Sequence, residues 1–365
     1  MPELSVIVPT FAEAENIPQL HRLLQETLGD FDWELIVVDD DSPDGTAEVV
    51  RELAQQDTRV RCIQRIGRRG LASAVLEGAL SSSAPLVAVM DGDLQHDERI
   101  LPRMIRALRE QGLDIVVGSR HAEEGSTGEW DARRERISRV ATRLARGLVP
   151  SELRDPMSGF FVARTALLRD SARVLSGRGY KILLDLFASS PRPLKFVEVP
   201  YTFRQRAHGE SKLDTLVVWQ YLMLLADKRI GHIVSPRLLS FGLVGAAGVG
   251  VHYAVLSALF LGFGARFVIA QGTATCVAMT FNFFCNNLLT YRDRRLRGLA
   301  WVRGLLSFYA VCSLGALANI GVAAYAFSQQ AEWALSALAG IIVGTLWNYL
   351  ASAHFTWGAA SERVV

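Results

Sequence analysis

Residues 86–96, Leu86-Val87-Ala88-Val89-Met90-Asp91-Gly92-Asp93-Leu94-Gln95-His96, carry the main structural signal of this chain. The apolar run Leu86–Val89 reads as a strand buried on both faces of a parallel sheet. Both carboxylates then emerge at its C-terminal end, the edge at which open α/β sheets bind ligands. Asp91, Asp93 and Gln95 offer hard oxygen ligands suited to Mg²⁺ or Mn²⁺ holding a diphosphate. Such an ion can neutralise charge on a departing nucleoside diphosphate. An Asp-x-Asp pair by itself is common in solvated loops, and its place directly after a buried strand is what gives this one weight.

Outward from that strand, residues 1–120 alternate two patterns. Leu4–Pro9, Glu34–Val38, Leu86–Met90 and Asp114–Ser119 are short runs rich in Val and Ile. Helical patterns fall near Glu15–Leu28, Thr46–Gln56, Leu71–Ser82 and Arg99–Gln111. This alternation implies a mostly parallel sheet with helices on both faces. Asp44-Gly45-Thr46 supplies a turn and a helix start. No Gly-x-Gly-x-x-Gly follows the first strand and no Walker-type loop is present, which argues against a dinucleotide-binding Rossmann site. Phosphate handling must then rest on a metal and basic side chains.

The chain's two halves differ in kind. Of its 76 charged residues only ten lie after Arg237, so the net charge of +2 averages a charged front and an apolar back. Leu238–Gly264, Phe267–Tyr291, Gly304–Phe327 and Ala334–Trp357 each exceed the roughly 20 residues needed to cross a bilayer. The connection between the second and third carries Arg292, Arg294, Arg295, Arg297 and Arg303 against Asp293 alone, which places it in the cytoplasm. Four spans then put both termini and the first 237 residues on that side, in a multi-pass protein of the cell (inner) membrane. The start, Met1-Pro2-Glu3-Leu4-Ser5, lacks the basic lead and apolar run of a cleaved signal. Cys62, Cys276, Cys285 and Cys312 show no metal-binding spacing and read as small apolar fillers in a reducing compartment.

Between the halves, Asp131–Leu148 reads as a basic amphipathic helix. Ile137, Val140, Ala141, Leu144 and Leu148 share one face, and Arg133, Arg134, Arg136, Arg139, Arg143 and Arg146 occupy the rest. It is either a solvated helix packed on the domain or a helix at an anionic lipid surface. Leu216–Ala226 is too short to span, and either lies at the membrane interface or packs as an ordinary core helix. The membrane part repeats: Leu238-Leu239-Ser240-Phe241 returns as Leu305-Leu306-Ser307-Phe308 at an offset of 67. Phe281-Asn282-Phe283 and Thr290-Tyr291 return as Trp347-Asn348-Tyr349 and Thr356-Trp357 at an offset of 66. Two hairpins entering from the same side give a parallel repeat about an axis along the membrane normal, with Asn282 and Asn348 as helix–helix hydrogen-bonding groups. Chance similarity of Leu-rich helices is the alternative.

Several motifs together resemble the GT-A family 2 glycosyltransferases, and within them the dolichol-phosphate mannose synthases and their bacterial polyprenyl-phosphate relatives. They are Val8-Pro9-Thr10-Phe11-Ala12-Glu13, residues 37–46 (Val37-Val38-Asp39-Asp40-Asp41-Ser42-Pro43-Asp44-Gly45-Thr46) and Asp91–His96. Gly118-Ser119-Arg120, Trp130-Asp131-Ala132-Arg133-Arg134, Ile137-Ser138-Arg139 and Asp155-Pro156-Met157-Ser158-Gly159-Phe160 follow in order. So do Gly179-Tyr180-Lys181-Ile182-Leu183-Leu184, Val199-Pro200, Arg206 and Gly209-Glu210-Ser211-Lys212. The four-span tail resembles a GtrA-type membrane domain.

The resemblance implies a GT-A catalytic domain over residues 1–213, an interfacial helix and linker over 214–237, four membrane helices over 238–357 and a cytosolic tail over 358–365. It implies that Pro9, Phe11, Glu13, Val38 and Asp40 line the nucleotide pocket, with Glu13 and Asp40 accepting from base or ribose and Phe11 on the base face. Asp91, Asp93 and Gln95 would hold Mg²⁺ or Mn²⁺, and Gly92 would let the backbone approach the nucleotide. Arg120, Arg206 and Lys212 would engage donor phosphates. Arg120, Arg134, Ser138 and Arg206 would meet the acceptor phosphate, Arg134 and Ser138 from one helical face. Asp91, Asp93 and Arg120 are the expected catalytic residues. Relatives often carry Tyr-Asn-Glu where this chain has Phe11-Ala12-Glu13, and alanine where it has Gly92.

The expected reaction is inverting transfer of one hexose from a nucleotide-sugar to a polyprenyl or dolichyl phosphate. GDP-mannose is the expected donor, with UDP-glucose the alternative. The acceptor phosphate is ionised at neutral pH and needs no base, which suits the lack of a nucleophile–histidine pair. A lipid-linked-sugar flippase with a sensor domain is the rival reading from another class. A processive polysaccharide synthase is disfavoured, because no Arg-Trp pair exists for its Gln-x-x-Arg-Trp motif. The bilayer is an expected partner, a homo-oligomer could form through the membrane domain, and no nucleic acid is expected.

Overall fold

The computed structural model describes residues 1–123, 125–127, 132–176, 181–205, 215–231, 233–330 and 333–358. Two compact units emerge, Met1–Arg229 and Ile230–Val365.

In the first unit the strands are β1 (Leu4–Thr10), β2 (Trp33–Asp39), β3 (Val60–Gln64), β4 (Leu86–Val89), β5 (Ile115–Ser119), β6 (Phe161–Arg164) and β7 (Phe196–Pro200). The helices are α1 (Ile17–Thr27), α2 (Thr46–Gln56), α3 (Leu71–Ser81), α4 (Leu101–Glu110), α5 (Ala132–Ala145), α6 (Thr165–Ser171), α7 (Ile182–Ser189) and α8 (Thr215–Ile230). The sheet order is β3-β2-β1-β4-β6-β5-β7. β1 pairs parallel with β2 and β4, whereas β6 runs antiparallel between β4 and β5. The central strands are apolar on both faces because each face is covered. Leu4, Val6 and Val8 enter the core under α1 and α4, and Ile7, Ile36 and Val38 the core under α3, α6 and α7. This is the expected Rossmann-like, mostly parallel architecture.

On α5, Ala145 is fully buried, while Val140 and Leu144 of the apolar face are 51% and 39% exposed, so that face does not pack wholly on the domain. The small Ala145 lets α5 lie close to α8, whose Leu224 and Leu225 complete a satellite core with Met157 and Leu184. The Tyr221 hydroxyl donates to the Ala141 carbonyl at 2.6 Å, and Arg229 reaches the Leu144 and Arg146 carbonyls at 3.0 and 3.2 Å. Lys228 Nζ lies 2.7 Å from the buried Asp185 carboxylate of α7. So α8 packs on the first unit with one side and leaves Val218 and Leu222 exposed on the other.

The second unit holds α9 (Pro236–Ser257), α10 (Phe267–Cys285), α11 (Leu299–Ser328) and α12 (Trp333–Ala351). Among the described residues three helices, Pro236–Gly262, Phe267–Thr290 and Leu299–Ala326, are long and apolar enough to cross a membrane. α12 and the π turn that follows it fall on the fourth expected span. The four cysteines are unpaired.

The repeat is visible in the geometry. Both α10 and α12 end in π turns, Asn286–Thr290 and Ser352–Thr356. Ser240 bonds Thr290 at 2.7 Å, and Ser307 bonds Thr356 at 3.2 Å. Where the hairpins meet, Tyr291 stacks on its counterpart Trp357 with centroids 4.1 Å apart. Asn282 and Asn348 do not act as expected: their Oδ1 atoms are buried without a hydrogen-bond partner. Each fits a notch in the facing helix instead. A Cβ on Gly248 would lie 2.1 Å from Asn282 Oδ1, and one on Gly315 2.0 Å from Asn348 Oδ1. The serine–threonine pairs supply interhelical hydrogen bonds, as do Tyr309 to Thr280 and the Cys276 carbonyl and Trp347 Nε1 to the Val311 carbonyl.

Gly248→Ala and Gly315→Ala should each destabilise the detergent-solubilised protein by about 1–3 kcal/mol through overpacking. Gly245→Ala, which meets open space, should not. Thermal unfolding of the three variants checks this, and equal melting temperatures would rule out the notches.

Candidate active site

The C-terminal ends of β1, β2 and β3 bring three loops together. After β1, the Ala12 N–H donates to Ser42 Oγ at 2.9 Å, Glu13 N–H to Thr46 Oγ1 at 3.1 Å and Ala14 N–H to Asp44 Oδ2 at 3.0 Å. These bonds lace it to the loop after β2. Asp39 is wholly buried and accepts from Thr10 Oγ1 at 3.2 Å and from the Ser42 N–H at 3.0 Å. Asp40 accepts from Arg65 Nη1 at 2.7 Å and from the Gly70 N–H at 2.6 Å, tying in the loop after β3. Burial pushes the Asp40 carboxyl above its usual range against these two donors. Four non-glycine residues among those described have left-handed φ, and three of them, Ala12, Asp41 and Leu94, sit at this edge. Backbone strain of this kind gathers at functional sites.

The expected nucleotide-lining residues take different positions. Phe11 and Pro9 are half-buried at the end of β1, and Glu13 is buried, accepting from Asn16 Nδ2 at 2.6 Å. The Val38 side chain is wholly buried in the sheet core, so a part in lining the nucleotide pocket would fall to its backbone. At Gly92 a Cβ would meet Thr10 and Val8 methyls at 3.3 Å and Ile17 at 3.5 Å, so its bare Cα also serves internal packing.

The acidic turn follows β4. Asp93 is buried and its Oδ1 accepts the Gln95 N–H at 3.2 Å, whereas the Asp91 side chain is 35% exposed. The Gln95 side-chain amide donates to the Arg204 carbonyl at 3.1 Å, and the Arg204 N–H returns a bond to the Gln95 carbonyl at 2.9 Å. Arg204 in turn spans Asp97 and Glu98 at 2.6 and 2.7 Å.

His96 shapes the turn, a role its place in the motif did not reveal. Its Nδ1 accepts the Asp91 N–H at 3.1 Å, which leaves the ring proton on Nε2, 3.8 Å from Asp91 Oδ2. The ring stacks on Phe160 at 5.0 Å and meets the edges of Tyr201 and Phe203. Burial lowers its pKa to about 4, so His96 is neutral near pH 7. Tyr201 holds a buried hydroxyl without a partner among the described residues beside these rings, and burial raises its pKa.

Arg120, directly after β5, is buried against Asp155. Its Nε and Nη2 each donate at 2.8 Å to the carboxylate, and its backbone N–H adds a bond of 3.1 Å. Burial opposes the charge on both groups, yet each holds the other ionised, so the guanidinium pKa rises and the carboxyl pKa falls. The loop from Asp155 then sets Gly159 against Asp91, where a Cβ would stand 3.4 Å from Oδ2. Ser138 lies half-buried on α5. Arg206, Lys212 and the Arg134 side chain lie outside the described residues.

Two carboxylates and a carboxamide on one turn are hard-oxygen chemistry. Among the described residues no group of three or more His, Cys, Asp or Glu side chains could hold a metal. The set therefore fits an ion that keeps waters or takes ligand phosphate oxygens, as Mg²⁺ does.

A ligand edge with an acidic turn and a fixed arginine, on a mixed sheet with one inserted antiparallel strand, fits the GT-A-type transferase that the sequence resemblance implies. Residues 5–171 match the glycosyl transferase family 2 model, and residues 240–357 match that of the GtrA/DPMS transmembrane domain. The chain is 34% identical over 357 residues to dolichol-phosphate mannosyltransferase of Pyrococcus furiosus, covering 97% of this chain and 99% of that protein. It is 38% identical to dolichol-phosphate mannosyltransferase of Saccharomyces cerevisiae over 66% of this chain and 91% of that one. A crystal structure of glucosyl-3-phosphoglycerate synthase from Mycobacterium tuberculosis with Mn²⁺, UDP and glucosyl-3-phosphoglycerate aligns with a TM-score of 0.46 and 21% identity, over 62% of this chain and 80% of that one. This chain belongs to glycosyl transferase family 2, and it is a membrane protein carrying a GtrA/DPMS domain.

His96→Asn keeps an acceptor for the Asp91 N–H and should retain more transferase activity than His96→Leu. The pH dependence has a definite sign. The folded-state pKa lies below the unfolded value of about 6.5, so the unfolded chain binds the extra proton first. Stability is therefore lost as pH falls from about 6.5 to about 4, by on the order of 3 kcal/mol. Denaturant titrations across this window should show that slope flattened in His96→Asn, and an unchanged slope would refute the buried neutral imidazole.

Proposed function

We propose that this chain transfers mannose from GDP-mannose to a polyprenyl or dolichyl phosphate with inversion, giving polyprenyl-phosphate mannose. The end-to-end similarity to the Pyrococcus furiosus dolichol-phosphate mannosyltransferase carries this reading, and the chemistry of the edge supports it. Asp91, Asp93 and Gln95 would hold Mg²⁺ or Mn²⁺. When bound, such an ion supplies positive charge beside a leaving diphosphate.

The remaining work falls to this chain's own groups. Asp155 fixes the Arg120 guanidinium, a planar fork suited to phosphate oxygens. His96 is locked as an acceptor for the Asp91 backbone and is poorly placed to remove a proton. A phosphate acceptor, already ionised, asks for no base. Catalysis then rests on alignment of the attacking oxygen with the anomeric carbon and on fixed charges. Arg134, Ser138, Arg206 and Lys212 are assigned to the phosphates on the family resemblance.

The exposed Val140, Leu144, Val218 and Leu222, together with exposed Arg136, Arg139, Arg143 and Arg146, suit an anionic membrane surface. The arginines at 292, 294, 295, 297 and 303 favour a cytoplasmic loop, which assigns the first unit and both termini to the cytoplasm.

Asp93→Ala should lower kcat/KM on the order of a thousandfold with an unchanged melting temperature, and normal rates would remove the acidic turn from the mechanism. Arg134→Ala should raise KM for the lipid acceptor and spare that of the donor. Membranes supplied with labelled GDP-mannose or UDP-glucose and polyprenyl phosphate should label lipid from the first, and labelling from UDP-glucose alone would overturn the donor.

A further inference from the structure

The loop after β3, Arg65-Ile66-Gly67-Arg68-Arg69-Gly70, carries three arginines, and the structure accounts for two of them. Arg65 is buried, with Nη1 on Asp40 and Nη2 on Ser73 Oγ at 2.6 Å, and Nε 3.2 Å from Glu77. Arg68 takes the same Glu77 with both Nη atoms at 3.1 and 2.9 Å. Glu77 is thus already shared. Arg69 makes no ion pair among the described residues, and its guanidinium carbon sits 4.1 Å above the centre of the Phe11 ring. Both residues retain access to solvent at the strand edge, and the Asp40 bonds to Arg65 and Gly70 anchor the loop from both ends.

The arrangement has two chemical parts. An aromatic face at this edge can take a nucleobase of any kind by stacking. A planar guanidinium whose charge is unpaired can read one base edge, because its fork matches the O6 and N7 acceptors of guanine bidentately. Uracil lacks that pair of acceptors. We propose that Phe11 and Arg69 form a base clamp in which Arg69 leaves the ring face as the nucleotide enters and hydrogen-bonds the guanine edge, making it the residue that selects GDP over UDP. This rests on the donor reading given above. Arg69 directly precedes Gly70, whose N–H is held by Asp40, so the exchange asks only the long Arg69 side chain to turn.

The test is equilibrium binding of GDP and of UDP, each with Mg²⁺, to the full-length protein in detergent, for the native chain, Arg69→Ala and Arg69→Lys. The clamp requires both variants to weaken GDP roughly tenfold while UDP changes less than twofold, since lysine keeps the charge and loses the fork. Equal weakening of GDP and UDP in Arg69→Ala, restored by Arg69→Lys, would assign the contact to the diphosphate and overturn base reading. So would an unchanged GDP affinity in Arg69→Ala. If the native chain prefers GDP but the ratio survives substitution, the clamp alone fails. If the native chain prefers UDP, the donor assignment fails with it.

Discussion

The buried pair between Arg120 and Asp155 is the constraint to which the site's geometry traces back. Removing one member of such a pair strands a charge in the interior, a cost of about 3–5 kcal/mol. The pair joins the end of β5 to the loop that leads into β6. That loop lays Gly159 against Asp91 and delivers Phe160 beneath the His96 ring. His96 in turn accepts the Asp91 N–H. The acidic turn, whose backbone is strained at Leu94, is therefore held from below by a stack of rings and from the side by a salt bridge.

How much of this was legible depends on how local each signal is. The stretch after Asp44-Gly45 became α2 with the expected bounds, Thr46–Gln56, and the strands carrying the ligand edge were apparent from their apolar runs. β3, β6 and β7 were missed: β3 is an edge strand with exposed Arg61 breaking its pattern, β6 is four residues ending in exposed Arg164, and β7 carries Glu198 at its centre. In the site, the carboxylates were legible as residue types in a run. The imidazole's role was not, because Phe160, Tyr201 and Phe203 reach it from distant parts of the chain. The choice between the two readings of α5 was equally hidden, since it depends on α8 claiming the side that bears Ala145.

The membrane unit shows the same division between residue type and partner. The offsets of 66 and 67 residues in the sequence correspond to paired π turns, paired serine–threonine bonds and paired glycine notches. What the pattern could not tell was that each asparagine is seated in a notch, while hydroxyls and the Trp347 indole supply hydrogen bonds between helices.

The antiparallel β6 has a geometric consequence. Because it enters between β4 and β5, the main-chain exits that launch the carboxylates and the arginine stand two ladder spacings apart, roughly 10 Å. Had β4 and β5 been direct neighbours, that distance would be halved and the two charge centres would close on each other. Sheet connectivity thus works as a ruler, fixing the spacing of the two exits before any side chain is chosen.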